Sequence, residues 1–130
     1  MNTKNTKQRS IIIKMLQQDK THPTIKELYK NIKEKYPNIG QATVYRNINK
    51  LLDDGKIVKI KTSTNIDHYD GNIIPHYHLE CKKCHRIIDI YDSKYDKTIK
   101  NIEREYSIKI DQASILFDGI CDRCNEEVQV

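Results

Sequence analysis

Two Cys-x-x-Cys pairs, Cys81-Lys82-Lys83-Cys84 and Cys121-Asp122-Arg123-Cys124, hold all four cysteines of the 130-residue chain. Residues 85–120 separate them, so whatever joins the pairs also brings the C-terminal segment back to residue 81. Each pair, placed on a tight turn, can present two thiolates, and four thiolates close a tetrahedral zinc site with bonds of about 2.3 Å. Complete coordination by soft sulfur leaves no open position, which makes such a site structural and not catalytic. Two disulfides or a redox pair are the alternatives. A reducing cytosol argues against disulfides, and no thioredoxin-like βαβ pattern surrounds either pair. On this spacing the C-terminal half is expected to fold around an ion and to unfold partly without it.

Charge divides the chain in a different way. Residues 1–65 hold 14 Lys/Arg against 5 Asp/Glu, and residues 66–130 hold 9 against 13, which gives +9 for the first part and −4 for the second. A basic half points to a polyanion as partner; lysines decorating solvated helix faces are the plainer alternative. Hydrophobic residues make up 37% and charged residues 32%, and there is no Trp, so a soluble fold must rest its core on Ile and Leu. The apolar run Ile11-Ile12-Ile13 is closed at once by Lys14. That leaves no secretory signal and no membrane span, and a cytoplasmic location is expected.

The basic half reads as helical. Residues 7–18 set Ile12, Met15 and Leu16 on one face, broadened by Ile11 and Ile13. Thr24 with Glu27 three residues on forms a capping box, after which Ile25, Leu28, Tyr29 and Ile32 make an amphipathic stripe that Pro37 ends. A third helix is expected from Gln41 to Asp54, buried through Val44, Ile48, Leu51 and Leu52 and closed by a left-handed Gly55. Its outward face offers Gln41, Thr43, Tyr45, Arg46 and Asn47, side chains able to hydrogen-bond phosphates or base edges. Ile57-Val58-Lys59-Ile60 and His68-Tyr69-Asp70, joined by a polar turn, then read as two short strands. Three helices followed by a hairpin is the order of a winged helix-turn-helix; an ordinary three-helix bundle with a hairpin is the alternative.

A second metal site is suggested just before the first cysteine pair. In a strand, His76 and His78 share a face, Asp70 precedes them, and Asp89 interrupts the apolar run Ile87-Ile88-Asp89-Ile90. A carboxylate in such a run is either exposed or paired with a cation. Two His and two Asp this close suit a harder ion such as Fe(II), Mn(II) or Zn(II). A chance His-x-His and a solvated strand aspartate remain the alternative.

Taken together, Ala42-Thr43-Val44-Tyr45-Arg46-Asn47, then His76-Tyr77-His78 with Cys81-x-x-Cys84, and the distal Cys121-x-x-Cys124 resemble the ferric-uptake-regulator family of metal-dependent repressors, in order and spacing, over residues 4–124. The resemblance implies an α+β chain: a winged-helix DNA-binding domain over residues 1–66, a hinge over 67–75, and a small α/β dimerisation domain over 76–130 carrying the structural zinc. It implies a homodimer on pseudo-palindromic double-stranded operator DNA, and a regulator, not an enzyme. Within the family the chain looks most like the peroxide-sensing branch. That branch's regulatory ligands match His22, Asp70, His76, His78 and Asp89, and iron-uptake regulators usually carry Glu where Asp89 stands.

The resemblance further implies that Fe(II) or Mn(II) on those five ligands pins the two domains in the DNA-binding orientation. Peroxide would then oxidise His22 or His76 when the ion is iron. For DNA contact it points to Lys4, Tyr45 and Arg46, beside Thr43 from the helix face. The chain departs from the family pattern in beginning at what is normally the loop after a first helix. It also carries His68 where Arg is common before Asp70, and His85 where Gly often follows the knuckle. Rival readings are an iron- or zinc-uptake regulator of the same architecture, a non-haem iron enzyme built on the His/Asp set, and a zinc-ribbon interaction module.

Overall fold

The computed structural model describes residues 3–128, with side chains from residue 6 to residue 126. The chain divides into two compact units, Met1–Ile73 and Ile74–Val130.

The first unit is helical with a two-stranded wing. Helix α1 spans Thr3–Gln18 and buries Ile12 and Leu16, one turn apart, against the other helices. It begins earlier than residue 7 and takes in the segment expected to be a loop around Lys4. Helix α2, Ile25–Lys35, opens on the expected capping box: the Glu27 amide donates to Thr24 Oγ1 at 3.1 Å, and the Thr24 amide donates back to Glu27 Oε1 at 3.1 Å. Helix α3, Gln41–Asp53, ends in a Schellman motif. The Gly55 amide donates to Leu52 O and the Lys56 amide to Leu51 O, with Gly55 at φ 69° as the missing Cβ permits.

Strands β1 (Val58–Lys61) and β2 (Asp67–Asp70) pair antiparallel, Ile60 opposite His68. Residues 67–70, assigned to a hinge from the resemblance, therefore belong to the wing, because their backbone groups are used by β1. The core of this unit is aliphatic, as expected: Ile12, Leu16, Leu28, Ile32, Ile39, Val44, Ile48, Leu51 and Ile57 cluster with Tyr69, while Leu52 is only half-buried.

The second unit is a three-stranded sheet of order β4-β3-β5. Strand β3 (Tyr77–Cys81) pairs antiparallel with β4 (Ile87–Ile90) and parallel with β5 (Leu116–Gly119). A parallel pair needs a crossover, supplied by helix α4, Tyr95–Tyr106, which places the buried Tyr95 ring 4.8 Å from Tyr77. A short α5, Asp122–Val128, follows the second cysteine pair's first member. Alternation along β3 buries His78 and Glu80 on one face and leaves Tyr77 and Leu79 half-buried on the other. Register sets Ile88, Ile90 and Phe117 beside that second face, and Phe117 is 44% exposed. The only buried hydrophobic cluster in this unit, among the described residues, is Cys81, Cys121 and Cys124.

Candidate metal sites and nucleic-acid face

The second unit's centre is thus made of sulfur. Cys81 ends β3, the turn behind it carries Cys84, and α5 starts directly after Cys121 and contains Cys124. The four Sγ atoms lie within 4.8 Å of one another, and Cys84 Sγ to Cys121 Sγ is 3.7 Å. Tetrahedral zinc with 2.3 Å bonds requires sulfur pairs about 3.8 Å apart, so the donor set fits that ion. The turn between the pair and β4 needs a left-handed residue, and His85 takes it at φ 64°, its amide donating to Cys81 O at 2.9 Å. That explains why Gly is the commoner choice after such a knuckle.

Neighbouring amides polarise the thiols unequally. The amides of Cys84 and Cys121 both donate to Cys81 Sγ at 3.4 Å, and these bonds hold the Cys81 thiol down at about 5. The Cys121 thiol is also lowered, first by the Cys124 backbone and further by the Arg86 guanidinium. Burial, together with the other three sulfurs, pushes Cys124 up to about 12. The thiols thus differ in how readily they lose a proton, Cys81 most readily and Cys124 least. Arg86, absent from the sequence reading, is bonded through Nη2 to Asp122 at 2.5 Å and abuts Cys121, so it ties β4 to the start of α5. Its only sequence signal is a cation two residues after Cys84.

The oxygen and nitrogen donors form one group in each unit. In the first, His22 lies in the α1–α2 loop and Asp70 ends β2, both buried, with His22 Nδ1 3.7 Å from Asp70 Oδ2. The Asn72 amide takes Asp70 Oδ1 at 2.9 Å, which orients the carboxylate. In the second, Asp89 stands cross-strand from His78. Asp89 Oδ1 lies 2.9 Å from His76 Nε2 and 3.2 Å from His78 Nε2. His76 Nδ1 donates to the Ile74 carbonyl at 2.6 Å, so its Nε2 presents a lone pair unless the ring is cationic. A lone pair facing a carboxylate oxygen at that distance needs a positive centre, either a proton or a metal ion. Two ligands at right angles on an ion with 2.1 Å bonds stand about 3.0 Å apart, which these spacings match. The Tyr91 ring stacks on His76 at 4.8 Å, a partner the sequence did not single out.

On α3, Tyr45 is 41% exposed and Arg46 is exposed, donating through Nη2 to Oγ1 of the half-buried Thr43 at 3.3 Å. Gly40 caps the helix without a side-chain bond. Asn47 is a correction: it is buried, its Oδ1 accepts from Arg9 Nε at 3.1 Å and its Nδ2 donates to Thr43 O at 2.8 Å. It braces α3 against α1 and does not face outward. The Lys4 side chain lies outside the described residues. Among the described residues no helix is long and apolar enough to cross a membrane.

Residues 1–117 match the ferric uptake regulator family. The peroxide-responsive repressor PerR of Staphylococcus epidermidis is 30% identical over 122 residues, covering 94% of this chain and 81% of that protein. The ferric uptake regulation protein of Bacillus subtilis is 35% identical over 128 residues, covering 94% and 85%. Among solved structures, the Campylobacter jejuni peroxide stress regulator superposes with a TM-score of 0.85 at 34% identity, covering 94% of this chain and 92% of that one.

Proposed function

The chain belongs to the ferric uptake regulator family of metal-responsive transcriptional regulators, and on that premise we propose that it is a homodimeric DNA-binding repressor that senses peroxide. In this reading Cys81, Cys84, Cys121 and Cys124 hold structural zinc. His22, Asp70, His76, His78 and Asp89 hold a regulatory Fe(II) or Mn(II). Thr43, Tyr45, Arg46 and Lys4 meet operator DNA, and the half-exposed apolar face around Phe117 and Leu79 receives the second copy. The observation that carries the metal assignment is Asp89 Oδ1 set against both His76 Nε2 and His78 Nε2.

The residues perform distinct parts. Asp70 and Asp89 supply hard oxygen donors and neutralise the ion's charge. The Ile74 carbonyl fixes the His76 tautomer so that Nε2 would offer its lone pair to the ion. The bound ion would bias the chain toward its DNA-binding state by its preference for that state alone. Fe(II) held there would supply the reactivity toward peroxide. The His22 and His76 rings would offer the imidazole C–H bond into which one peroxide oxygen inserts, the O–O bond breaking and the second oxygen leaving as water.

Peptide mass spectrometry on anaerobic Fe(II)-loaded protein, with and without stoichiometric peroxide and beside a Mn(II)-loaded control, tests this. One added oxygen on the His22 or His76 peptide, in the iron sample alone and with DNA binding lost, is the expected result. Unmodified histidines with unchanged metal-dependent binding would establish an iron- or zinc-uptake regulator, a second reading favoured by the 35% identity to the B. subtilis ferric uptake protein.

A further inference from the structure

His68 sits in β2 where the family pattern commonly has Arg, and nothing above gives it a task. Its Nδ1 lies 2.6 Å from the carbonyl oxygen of His22. A carbonyl only accepts, so Nδ1 carries the proton and donates. The residue it grips is in a strained conformation. His22 has φ 55°, a left-handed setting that a non-glycine residue keeps only where its surroundings impose it. It also precedes Pro23, whose ring drives its neighbour toward extended backbone. Strand β2 supplies the restraint. Beside the His68 bond, the Tyr69 amide donates to the Pro23 carbonyl at 3.0 Å. The next residue, Asp70, faces the His22 ring, Oδ2 to Nδ1 3.7 Å. Three consecutive residues of one strand thus hold the His22 backbone, hold the Pro23 backbone and meet the His22 imidazole.

We propose that His68 is a positioning residue for metal binding: its Nδ1–H bond to the His22 carbonyl locks the turn that aims the His22 imidazole toward Asp70, and so sets the chain's affinity for the regulatory ion. This inference rests on the reading of His22 and Asp70 as ligands. It assigns the work to Nδ1, whereas direct ligation by His68 would use Nε2. Two substitutions separate these atoms. Asparagine places an amide nitrogen near the position of Nδ1, and glutamine places one near that of Nε2.

The test uses full-length, zinc-loaded protein titrated with Mn(II) at fixed pH, free Mn(II) being read by electron paramagnetic resonance. Zinc content and circular dichroism are followed in parallel. His68→Gln and His68→Leu should weaken Mn(II) binding about 10- to 100-fold, the range for lost outer-shell partners, while His68→Asn stays within about threefold of the parent. The glutamine variant keeps the comparison decisive should the leucine variant fail to fold. Retention by glutamine with loss by asparagine would overturn the proposal in favour of direct ligation. Equal weakening by all three would overturn it too, since ring packing and not the bond would then matter. His22→Ala is the control on the underlying reading. If it weakens binding while every His68 variant matches the parent, positioning fails and the ligand stands. If His22→Ala itself binds normally, the ligand assignment fails and takes the positioning role with it.

Discussion

Within the cysteine cluster the same neighbours act in opposite directions on different thiols. Amide donors hold Cys81 at about 5, so it is already a thiolate at neutral pH, whereas burial beside other sulfurs holds Cys124 at about 12, so it is protonated there. Zinc entering the site must therefore displace the Cys124 proton and need displace none from Cys81. Its apparent affinity should rise with pH by about tenfold per unit for each proton released, with at least one released between about pH 6 and pH 8. Chelator competition across that range measures the slope; a pH-independent affinity would contradict the assignment. Asn47 illustrates the limit of reasoning residue by residue. It lies in the signature run with Tyr45 and Arg46, yet it bonds inward to Arg9 and Thr43. A helical wheel gives a residue's angle, but not whether a polar partner waits on the buried side.

At the scale of elements, local signals were the most legible. The Thr24–Glu27 box, the Pro37 stop and the Gly55 cap are each short-range hydrogen-bond or steric events, and all three appear where the residues place them. Gly71 has no such local signature. Its missing Cβ leaves room for helix α1, because a Cβ there would stand 2.7 Å from the Gln17 Cα and amide nitrogen. Gly71→Ala must push α1 away from the end of the wing, and it is expected to destabilise the first unit by about 1–3 kcal/mol. A thermal melt of the metal-free protein, followed at the α1–α3 helical signal, would register the loss. Strand β2 was legible in part: His68-Tyr69-Asp70 reads as a strand in the sequence, and only pairing with β1 shows that Asp67 belongs to it as well.

Across the whole molecule, the two units depend on different forces. The first has an aliphatic core of three helices and a wing. The second buries sulfur where a core would otherwise lie, and leaves Phe117, Ile120 and Tyr106 exposed. A unit of this size without a sizeable apolar core needs a metal or a partner. Stripping zinc with a chelator under reducing conditions should unfold residues 74–130 while residues 1–73 keep their helices. Amide hydrogen exchange would show protection lost in β3, β5 and α5 and retained in α2 and α3. Uniform loss across both units would mean that the first unit does not fold independently of the metal.

The sequence by itself determined the two Cys-x-x-Cys pairs, the order of helices and wing strands and the aliphatic core of the basic half, and it suggested His76, His78 and Asp89 as one cluster. A turn, a helical stripe or a strand face relates residues a few positions apart, so spacing carries that much. Only the tertiary structure decided that burial raises the Cys124 thiol and that Arg86 abuts Cys121. It also decided that Asn47 faces inward and that His68 grips the backbone of His22. Each of these joins groups distant in sequence, or sets a charge against its burial, and such pairings exist only once the chain has closed on itself.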